Sequence, residues 1–292
     1  MTTPERPEVP EPVGFVVGAG LLARRTLDAA LSAGFPVRVV VLEGFGDPAD
    51  YADQPHITCR LGAAGRMLGW LREQGVRRMV MVGRVSRPSF LALRPDAGAA
   101  RLLPKIGVRA FGGDDTLLVA VARVLREEGF EPLGAEQFLG SLQVPPGLLA
   151  GPAPDATAQA DIRRGVAVLA SLGPADVGQG CIVQQGLVLA VEAIEGTDAM
   201  IARAGPLHRE GPGGVLVKLL KPGQDRRFDL PTVGPDTITA AAAAGLRGIA
   251  IEARGGLLVD REESCRRAAA AGLFLLAIEP AALNFDAMTG EV

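Results

Sequence analysis

The first half of the chain alternates short apolar runs with longer stretches of helical spacing. The apolar run Val13–Val17 ends at Gly18-Ala19-Gly20, and residues 21–33 then place apolar side chains three and four positions apart. Gly34 follows, and a second apolar run covers Val37–Leu42. A strand, a glycine turn, a helix and a second strand form a βαβ unit, which implies a parallel sheet.

The same alternation continues to about residue 139. Helical spacing that stops at a glycine predicts a helix, and a short apolar run between turn residues predicts a strand. On these grounds we predict helices at residues 64–74, 96–103 and 117–128, and a strand at residues 79–82.

The second half also alternates strands with helices, and in addition contains a predicted hairpin. Residues 177–183 and 186–191 are apolar runs that meet at the turn sequence Gln185-Gly186. The remaining pattern predicts helices at 157–172, 199–204, 237–245 and 261–271, and strands at 214–220, 248–252, 257–259 and 273–278.

Chain length and the distribution of proline and glycine predict two domains. The 292 residues suffice for two domains of ordinary size, and residues 144–156 are rich in Pro and Gly, which is typical of a linker. The predicted fold class is α/β, with a Rossmann-like parallel-sheet domain at 13–143 and a second α/β domain at 157–292. The acidic, Pro-rich residues 1–12 are predicted to be extended or disordered.

Composition restricts the possible partners. Aromatic residues make up only 4% of the chain against 48% hydrophobic residues, so its cores must be built from Ala, Val and Leu. The net charge of −3 argues against broad nucleic-acid binding, which needs a basic face. Three scattered cysteines indicate a reducing compartment. Two histidines disfavour a His-rich zinc site, so any metal is expected to be a hard cation on oxygen ligands.

The sequence predicts neither a targeting segment nor a membrane span. The N-terminus lacks the apolar run of a signal peptide. No apolar segment reaches the ~20 residues that are needed to cross a bilayer. We therefore expect a cytoplasmic protein with at most peripheral membrane contact.

Cations, carboxylates and chain-breaking residues are concentrated in residues 218–237, which read KLLKPGQDRRFDLPTVGPDT. Such a mixture suits a phosphorylated ligand, because Lys and Arg hold the anion while a carboxylate binds Mg²⁺ or directs a water. A solvated loop with surface ion pairs would explain the same composition. The candidate catalytic residues are Lys218, Lys221, Gln224 and Asp225, with Asp225 also the candidate metal ligand and Arg226 and Arg227 additional cations. Asp229 and Asp236 are alternative metal ligands, although Asp229 could instead pair with one of these arginines.

Residues 221–237 also resemble the signature of the UDP-2,3-diacylglucosamine pyrophosphatases of lipid A biosynthesis, the LpxI type. The similarity extends over nearly the whole chain, from about Gly14 to about Glu279. It implies a Mg²⁺-dependent enzyme that converts UDP-2,3-diacylglucosamine and water into UMP and 2,3-diacylglucosamine 1-phosphate (lipid X). Activity in this family depends on the aspartate of P-G-Q-D, which corresponds to Asp225.

The resemblance carries further expectations about assembly and site. It implies water attack at the β-phosphorus, a lipid product held between two domains, and a homodimer. Any membrane contact of this cytoplasmic protein is expected to be peripheral, at the inner face of the inner membrane. The family motif G-[KR]-V-x-R-P matches residues 83–88, and its G-D-D matches residues 113–115. The chain departs from many members at Ala23, where they have Pro; this affects the turn rather than the chemistry.

Polar and turn residues beyond the predicted strands are candidates for substrate contacts, because open α/β sheets bind ligands at the carboxyl ends of their strands. Some of these side chains could instead be helix N-caps, namely one of Asp114, Asp115 and Thr116, either Thr197 or Asp198, and Asp236. The candidate substrate-binding residues are Gly18, Ala19, Gly20, Gly83, Arg84, Asp114, Asp115, Thr116, Gln185, Glu192, Thr197, Asp198, Arg226 and Thr232.

Two alternative functions stay open at this point. Gly18-x-Gly20 and Glu43 could form a dinucleotide fingerprint in which Glu43 binds a ribose, although Ala23 stands where the third glycine is expected. This would make the protein a nicotinamide-dependent oxidoreductase. A non-catalytic lipid or nucleotide carrier is the other alternative. A serine hydrolase is disfavoured, because the sequence has no G-x-S-x-G and only two histidines.

Overall fold

In a computed structural model of the protein, the described residues are 10–85, 93–107, 114–139, 143–221 and 230–283. The chain divides into two compact units, Met1–Gly140 and Ser141–Val292. Both units combine a β-sheet with α-helices, as the alternating pattern predicts.

The first unit contains, among its described residues, five strands and four α-helices. In chain order they are β1 (Val13–Val17), α1 (Leu21–Ser32), β2 (Val37–Leu42), β3 (His56–Cys59), α2 (Ala64–Glu73), β4 (Arg78–Val82), α3 (Ala97–Ile106), α4 (Asp114–Glu127) and β5 (Glu131–Leu133).

These five strands form one parallel sheet in the order β3-β2-β1-β4-β5. The central strand β1 aligns Val13 with Val37 of β2 and with Arg78 of β4. This order is that of a Rossmann-like sheet, so the predicted fold class is confirmed. The apolar pattern does not predict β3 and β5, because these short strands begin with the polar residues His56 and Glu131.

Helices cover both faces of this sheet. Val41 of β2 packs with Phe15 of β1 and Leu27 of α1, whereas its neighbour Val40 packs with Leu71 of α2 and Leu125 of α4. Successive side chains of a strand point to opposite faces. Both faces are therefore buried, which explains why the strands appear in the sequence as continuous apolar runs.

The second unit contains eight strands and four α-helices in the described part of the chain. They are β6 (Gly147–Ala150), α5 (Ala156–Leu172), β7 (Gly180–Gln184), β8 (Leu187–Val191), α6 (Thr197–Ala204), β9 (Val215–Lys218), β10 (Thr232–Val233), α7 (Pro235–Ala243), β11 (Gly248–Glu252), β12 (Leu257–Leu258), α8 (Arg261–Ala270) and β13 (Phe274–Ile278), with β12 paired only to β10.

Six of these strands form a mixed sheet in the order β6-β13-β11-β9-β7-β8. Strands β9, β11 and β13 are parallel, whereas β7 is antiparallel to both β9 and β8. Lys218, the last residue of β9, aligns with Ile251 of β11 and with Gly180, the first residue of β7. The ends of β9 and β11, the start of β7 and the end of β8 therefore share one edge, which we call the carboxyl edge of the second sheet.

The predicted hairpin is confirmed as β7 and β8. Its turn residues Gln185 and Gly186 have φ values of 53° and 79°, and positive φ at both central residues is the requirement of a type I′ turn. Asp161 of α5 is only 1% exposed and accepts hydrogen bonds from the backbone N–H groups of Gln185 at 3.0 Å and Gly186 at 2.7 Å. The buried Asp161 carboxylate thus fixes the turn through these two backbone hydrogen bonds.

The segment predicted as a linker, residues 144–156, instead contributes to the second unit. Its strand β6 pairs antiparallel with β13, aligning Leu148 with Leu276. Asp155 accepts a hydrogen bond from the backbone of Ala158 at 2.8 Å and so caps α5. Pro and Gly are compatible with an edge strand, and this tolerance explains the linker-like composition.

Two helices of the second unit begin before the side chains predicted to cap them. Gly196 caps α6 and Gly234 caps α7, in both cases without a side-chain hydrogen bond. Thr197, Asp198 and Asp236 therefore lie in first turns rather than at N-cap positions.

Within the described residues, no helix combines the length and apolar character that crossing a membrane requires. Residues 1–9 lie outside the described residues, so the extended N-terminus stays a prediction.

Candidate active site

Lys218 lies at the carboxyl edge of the second sheet and is only 4% exposed. Its Nζ donates hydrogen bonds to Oγ1 of Thr197 at 2.7 Å and to the backbone carbonyl of Thr232 at 3.3 Å. The Thr197 hydroxyl in turn donates to Oε1 of Glu192 at 2.6 Å. The fold thus joins an ammonium, a hydroxyl and a carboxylate, from three residues predicted to belong to the site, into one chain of hydrogen bonds.

The Glu192 carboxylate is directed into the protein. The residue is 7% exposed, and its Oε2 is buried without a hydrogen-bond partner among the described residues. Gly180 makes the necessary space, since a Cβ atom there would come within 2.7 Å of this Oε2. Glu192 therefore contributes to the site through Thr197 rather than through an exposed oxygen.

A second buried lysine lies at the same edge. Lys221 is 7% exposed, and its Nζ is 2.5 Å from Oδ1 of Asp176. Asp176 precedes β7 and has a left-handed backbone, with φ of 51°. Sequence reasoning missed Asp176, because its one local signal is its position directly before an apolar run and its partner is 45 residues away.

Glu252 is another residue that the sequence analysis missed. It ends β11, and its Oε2 accepts a hydrogen bond from the backbone N–H of Leu220 at 2.9 Å. This bond holds the backbone between Lys218 and Lys221. The position of Glu252 at the end of a predicted strand could have indicated a site residue. Only the parallel pairing of β9 and β11 shows that its carboxylate meets the backbone of Leu220.

Thr232 and Asp198 also lie at this edge. The Thr232 hydroxyl donates to the carbonyl of Leu230 at 2.9 Å, so this residue reaches Lys218 through its backbone oxygen. Asp198 is exposed in the first turn of α6, next to Thr197.

Three predicted site residues, Gln224, Asp225 and Arg226, lie outside the described residues. The described chain on both sides of them reaches the carboxyl edge. Lys221 does so through Asp176, and Thr232 does so through Lys218.

Gln185 is separated from the other predicted site residues of this unit. The antiparallel pairing of β7 with β9 aligns Val183 with Val215, at the start of β9, so the hairpin turn lies at the opposite edge from Lys218. The Gln185 side chain donates to the backbone carbonyl of Glu210 at 3.0 Å. This hydrogen bond gives Gln185 a structural role, and its predicted substrate contact stays a prediction that lies apart from Lys218.

Cys181 is adjacent to this site in sequence but lies buried inside the sheet. Burial raises the pKa of its thiol to about 12. The thiolate is the nucleophilic form of cysteine, so Cys181 does not serve as a nucleophile.

In the first unit, the glycines predicted to bind substrate also bring two loops together. Ala19 and Arg84 exchange backbone hydrogen bonds of 2.9 and 2.8 Å, which join the turns after β1 and β4. A Cβ atom on Gly18 would lie 2.5 Å from the carbonyl oxygen of Arg84, and one on Gly83 would lie 2.8 Å from the carbonyl carbon of Gly18. Gly18 and Gly83 are thus required for loop packing at the point where the strand order reverses.

Gly20 has a different role at the start of α1. It is the N-cap residue with φ of 101° and without a side-chain cap, and the first turn of α1 contains no acidic residue. A helix N-terminus presents backbone N–H groups and a positive dipole end to an anion. Nε of Arg84 lies 3.9 Å from the position that a Cβ on Gly20 would occupy, so a cation faces the same helix start.

A cavity of about 420 Å³ lies beyond the carboxyl ends of β2 and β3 in this unit. Glu43 and Phe45 border it on the β2 side, and Arg60 and Arg94 are among its other lining residues. The predicted residues Asp114, Asp115 and Thr116 form the first turn of α4 rather than preceding it. The side chains of these three residues lie outside the described part of the structure.

The described residues contain no group of three or more His, Cys, Asp or Glu side chains that could hold a metal ion. The donors at the carboxyl edge of the second sheet are carboxylate and hydroxyl oxygens, which suit a hard cation. Mg²⁺ is usually held by only one or two carboxylates together with substrate phosphates and water. The described residues therefore supply oxygen donors of the type that Mg²⁺ prefers but no complete ligand set, and Mg²⁺ binding stays a prediction.

Fold and site together define a class of two-unit α/β proteins, with a Rossmann-like first unit and a second unit that carries buried lysines at a sheet edge. The chain belongs to the LpxI family: sequence models of the LpxI N-terminal and C-terminal domains match residues 12–142 and 145–276. A UDP-2,3-diacylglucosamine pyrophosphatase LpxI from Caulobacter vibrioides is 40% identical over 274 residues, which covers 92% of this chain and 98% of that protein.

Family membership confirms the resemblance that was predicted from residues 221–237. It favours the pyrophosphatase interpretation over the dinucleotide interpretation of Gly18 and Gly20.

Proposed function

We propose that this protein hydrolyses the pyrophosphate bond of UDP-2,3-diacylglucosamine, releasing UMP and 2,3-diacylglucosamine 1-phosphate for lipid A biosynthesis. The similarity to the Caulobacter vibrioides protein spans nearly the full length of both chains. The chemistry of the carboxyl edge supports the same reaction.

The observation that carries the proposal is the pair of buried lysines at this edge. Lys218 and Lys221 are 4% and 7% exposed, and desolvating a cation is costly unless an anion compensates it. Asp176 compensates Lys221, whereas the described acceptors of Lys218 are neutral oxygens. A diphosphate brings negative charge that increases on the bridging and leaving oxygens during hydrolysis. Fixed cations that meet this charge lower the barrier.

Asp225 is the proposed centre of the reaction. Its carboxylate orients a water and accepts its proton as the water oxygen bonds to phosphorus and the P–O–P bond breaks. Gln224 hydrogen-bonds the water or a phosphate oxygen, and Arg226 adds positive charge. Mg²⁺, held by Asp225 and the substrate phosphates, would supply charge neutralisation there when bound.

Attack at the β-phosphorus is the proposed direction, and isotope labelling tests it. Hydrolysis in ¹⁸O-water places the label in 2,3-diacylglucosamine 1-phosphate if the β-phosphorus is attacked. Label in UMP would mean attack at the α-phosphorus.

The first unit is proposed to hold the nucleotide side of the substrate. The α1 N-terminus with Gly20 and Arg84 suits a phosphate, and the Glu43 carboxylate beside the cavity suits sugar hydroxyls. The second unit suits the acyl side. Ile194 and Val177, which are 83% and 40% exposed, flank Glu192 and Asp176 and offer apolar surface beside the cationic edge.

Assembly is a proposal that rests on the family resemblance, and location is a proposal that rests on the sequence, which predicts no targeting segment or membrane span. They comprise a homodimer, a cytoplasmic location, and at most peripheral contact with the inner face of the inner membrane. Sedimentation of the purified protein and fractionation of cells test these points directly.

The decisive experiment is a UMP-release assay with UDP-2,3-diacylglucosamine and Mg²⁺. Asp225→Ala is expected to lower the turnover rate by about 10³-fold, because the water loses its orienting base, while the circular dichroism spectrum is unchanged. Near wild-type turnover by this variant would contradict the assignment of Asp225. Tight substrate binding by the wild type without any UMP release would instead indicate a carrier.

A further inference from the structure

The environment of Lys218 gives its side-chain nitrogen a defined direction. An ammonium group has three N–H donors, and two of them go to Oγ1 of Thr197 and to the carbonyl of Thr232. Within the described part of the chain, no carboxylate forms a direct ion pair with Lys218. Among the described residues the third N–H has no acceptor, and it is the donor that we assign to an anion at the carboxyl edge.

Thr197 lies between the charges of Lys218 and Glu192. Its hydroxyl accepts from Lys218 at 2.7 Å and donates to Glu192 at 2.6 Å. A hydroxyl has one proton to donate, and its donation to Glu192 orients its lone pairs toward Lys218. Hydrogen bonds linked in this way polarise one another, so the Glu192 charge supports the ammonium without forming an ion pair with it.

Neither Glu192 nor Thr197 has the geometry of a substrate contact. One Glu192 oxygen is taken by Thr197, and the other is enclosed against Gly180 of β7. The Thr197 hydroxyl is occupied as both donor and acceptor.

We propose that Glu192 and Thr197 are positioning residues that act on the substrate diphosphate only through the Lys218 ammonium. This inference rests on the proposed function, because it takes the anion at Lys218 to be a diphosphate. It replaces the direct substrate contacts that the sequence predicted for Glu192 and Thr197.

Thr197→Val tests the hydroxyl, since it removes the oxygen while it keeps the shape of the side chain. We expect kcat to fall about 30-fold with little change in KM, because misdirecting a fixed cation affects the transition state most. Thr197→Ser keeps the hydroxyl and should restore turnover to within about threefold of wild type. Glu192→Gln keeps an acceptor but loses the charge, and an intermediate loss of about fivefold is expected.

A double-mutant cycle separates positioning from a general structural role. If Thr197 and Glu192 act only through Lys218, then Thr197→Val and Glu192→Gln should have no further effect on kcat in a Lys218→Met background. Losses that multiply in this background would overturn the proposal, because they would show an action that does not pass through Lys218.

Matched controls come from the same unit. Thr239→Val removes a threonine hydroxyl that donates to the carbonyl of Pro235 in α7, and Glu195→Gln breaks an exposed ion pair with Arg203 near Glu192. Both should leave kcat within about twofold of wild type, as expected of surface changes. An equal loss in Thr239→Val and Thr197→Val would contradict the proposal.

A binding measurement keeps this test separate from the proposed function. Failure of the wild type to release UMP would refute the pyrophosphatase activity. Calorimetry with inorganic pyrophosphate would still test the positioning. Binding is expected to weaken about threefold in Thr197→Val, less than kcat falls because the transition-state charge is absent, and to be unaffected by this change in the Lys218→Met background. Equal pyrophosphate affinity of wild type and Thr197→Val, or no pyrophosphate binding by the wild type, would overturn the inference.

Discussion

The two units use the carboxyl edges of their sheets in different ways. In the first unit the edge is built from backbone: Gly18 and Gly83 let two loops touch, and α1 begins at Gly20 without a side-chain cap. In the second unit it is built from side chains, with Lys218 and Lys221 held by oxygen acceptors. A substitution should therefore affect mainly stability at the first edge and mainly activity at the second.

The largest expected effect is on activity, from Lys218→Met. Removing a fixed cation beside the diphosphate should lower kcat by about 10²–10³-fold. The free energy of unfolding should fall by about 1–2 kcal/mol, because the buried Glu192 carboxylate and the Thr197 hydroxyl lose the cation that they are linked to. Steady-state kinetics and urea denaturation of the same preparation check both points. If the variant lost stability in proportion to activity, the expected difference between the two edges would be contradicted.

Gly83→Ala should reduce mainly stability, whereas Lys218→Met should reduce mainly activity. The new Cβ would meet the backbone of Gly18 at 2.8 Å, and φ is 100° at this position. We expect the free energy of unfolding to fall by about 3 kcal/mol from overpacking and strain together.

Gly20→Ala is the matched control for Gly83→Ala. It also has a positive φ, but the nearest atom is 3.9 Å from the new Cβ. It should lower the unfolding free energy by strain alone, about 1–2 kcal/mol. Equal losses in the two variants would show that the loop contact is unimportant.

In the first unit, Asp96 accepts hydrogen bonds from backbone N–H groups at the start of two helices, so that a side chain and not a ligand satisfies these groups. Its carboxylate caps α3 through the N–H of Ala99 at 2.6 Å and accepts from Gly65 and Arg66 of α2 at 3.1 and 3.0 Å. Burial raises its pKa, but these backbone hydrogen bonds outweigh burial and lower the pKa below the ordinary value. Asp96→Ala should reduce the unfolding free energy by about 2 kcal/mol near neutral pH.

The pH dependence of that loss follows from the direction of the shift. Because the folded-state pKa of Asp96 is lowered, its stabilisation is present above the ordinary aspartate pKa of about 3.9 and decreases as the pH falls through the folded value. The difference between wild type and Asp96→Ala should therefore be constant from pH 5 to 7, within about 0.5 kcal/mol, and shrink in more acidic buffers. Denaturation at a series of pH values measures it; a difference that grew on acidification would refute the assignment.

Gln185→Ala should have the smallest effect. Its side chain makes one hydrogen bond, to a backbone carbonyl at the edge opposite to Lys218. Turnover should stay within about twofold and unfolding free energy within about 0.5 kcal/mol of wild type. A tenfold loss of kcat would return Gln185 to the list of substrate contacts.

Local signals were sufficient where local forces decide the structure. The apolar runs at Val13–Val17 and Val37–Leu42 and the helical spacing between them predicted the parallel sheet, because burial on both faces demands apolar strands. Gln185-Gly186 predicted the hairpin, because few residues tolerate a positive φ. The composition of residues 218–237 also placed a candidate site after β9, at Lys218.

Tertiary structure alone decided which of these residues meet. Strand pairing brings Glu192 and Thr197 to Lys218, puts Asp176 against Lys221 and carries Gln185 to the other edge. Strand pairing also places β6, whose sequence resembles a linker, in the second sheet. Composition and periodicity report on burial and turns along the chain. Which strand lies beside which, and in what direction, depends on contacts between segments tens of residues apart, and these determine whether a polar residue reaches the site.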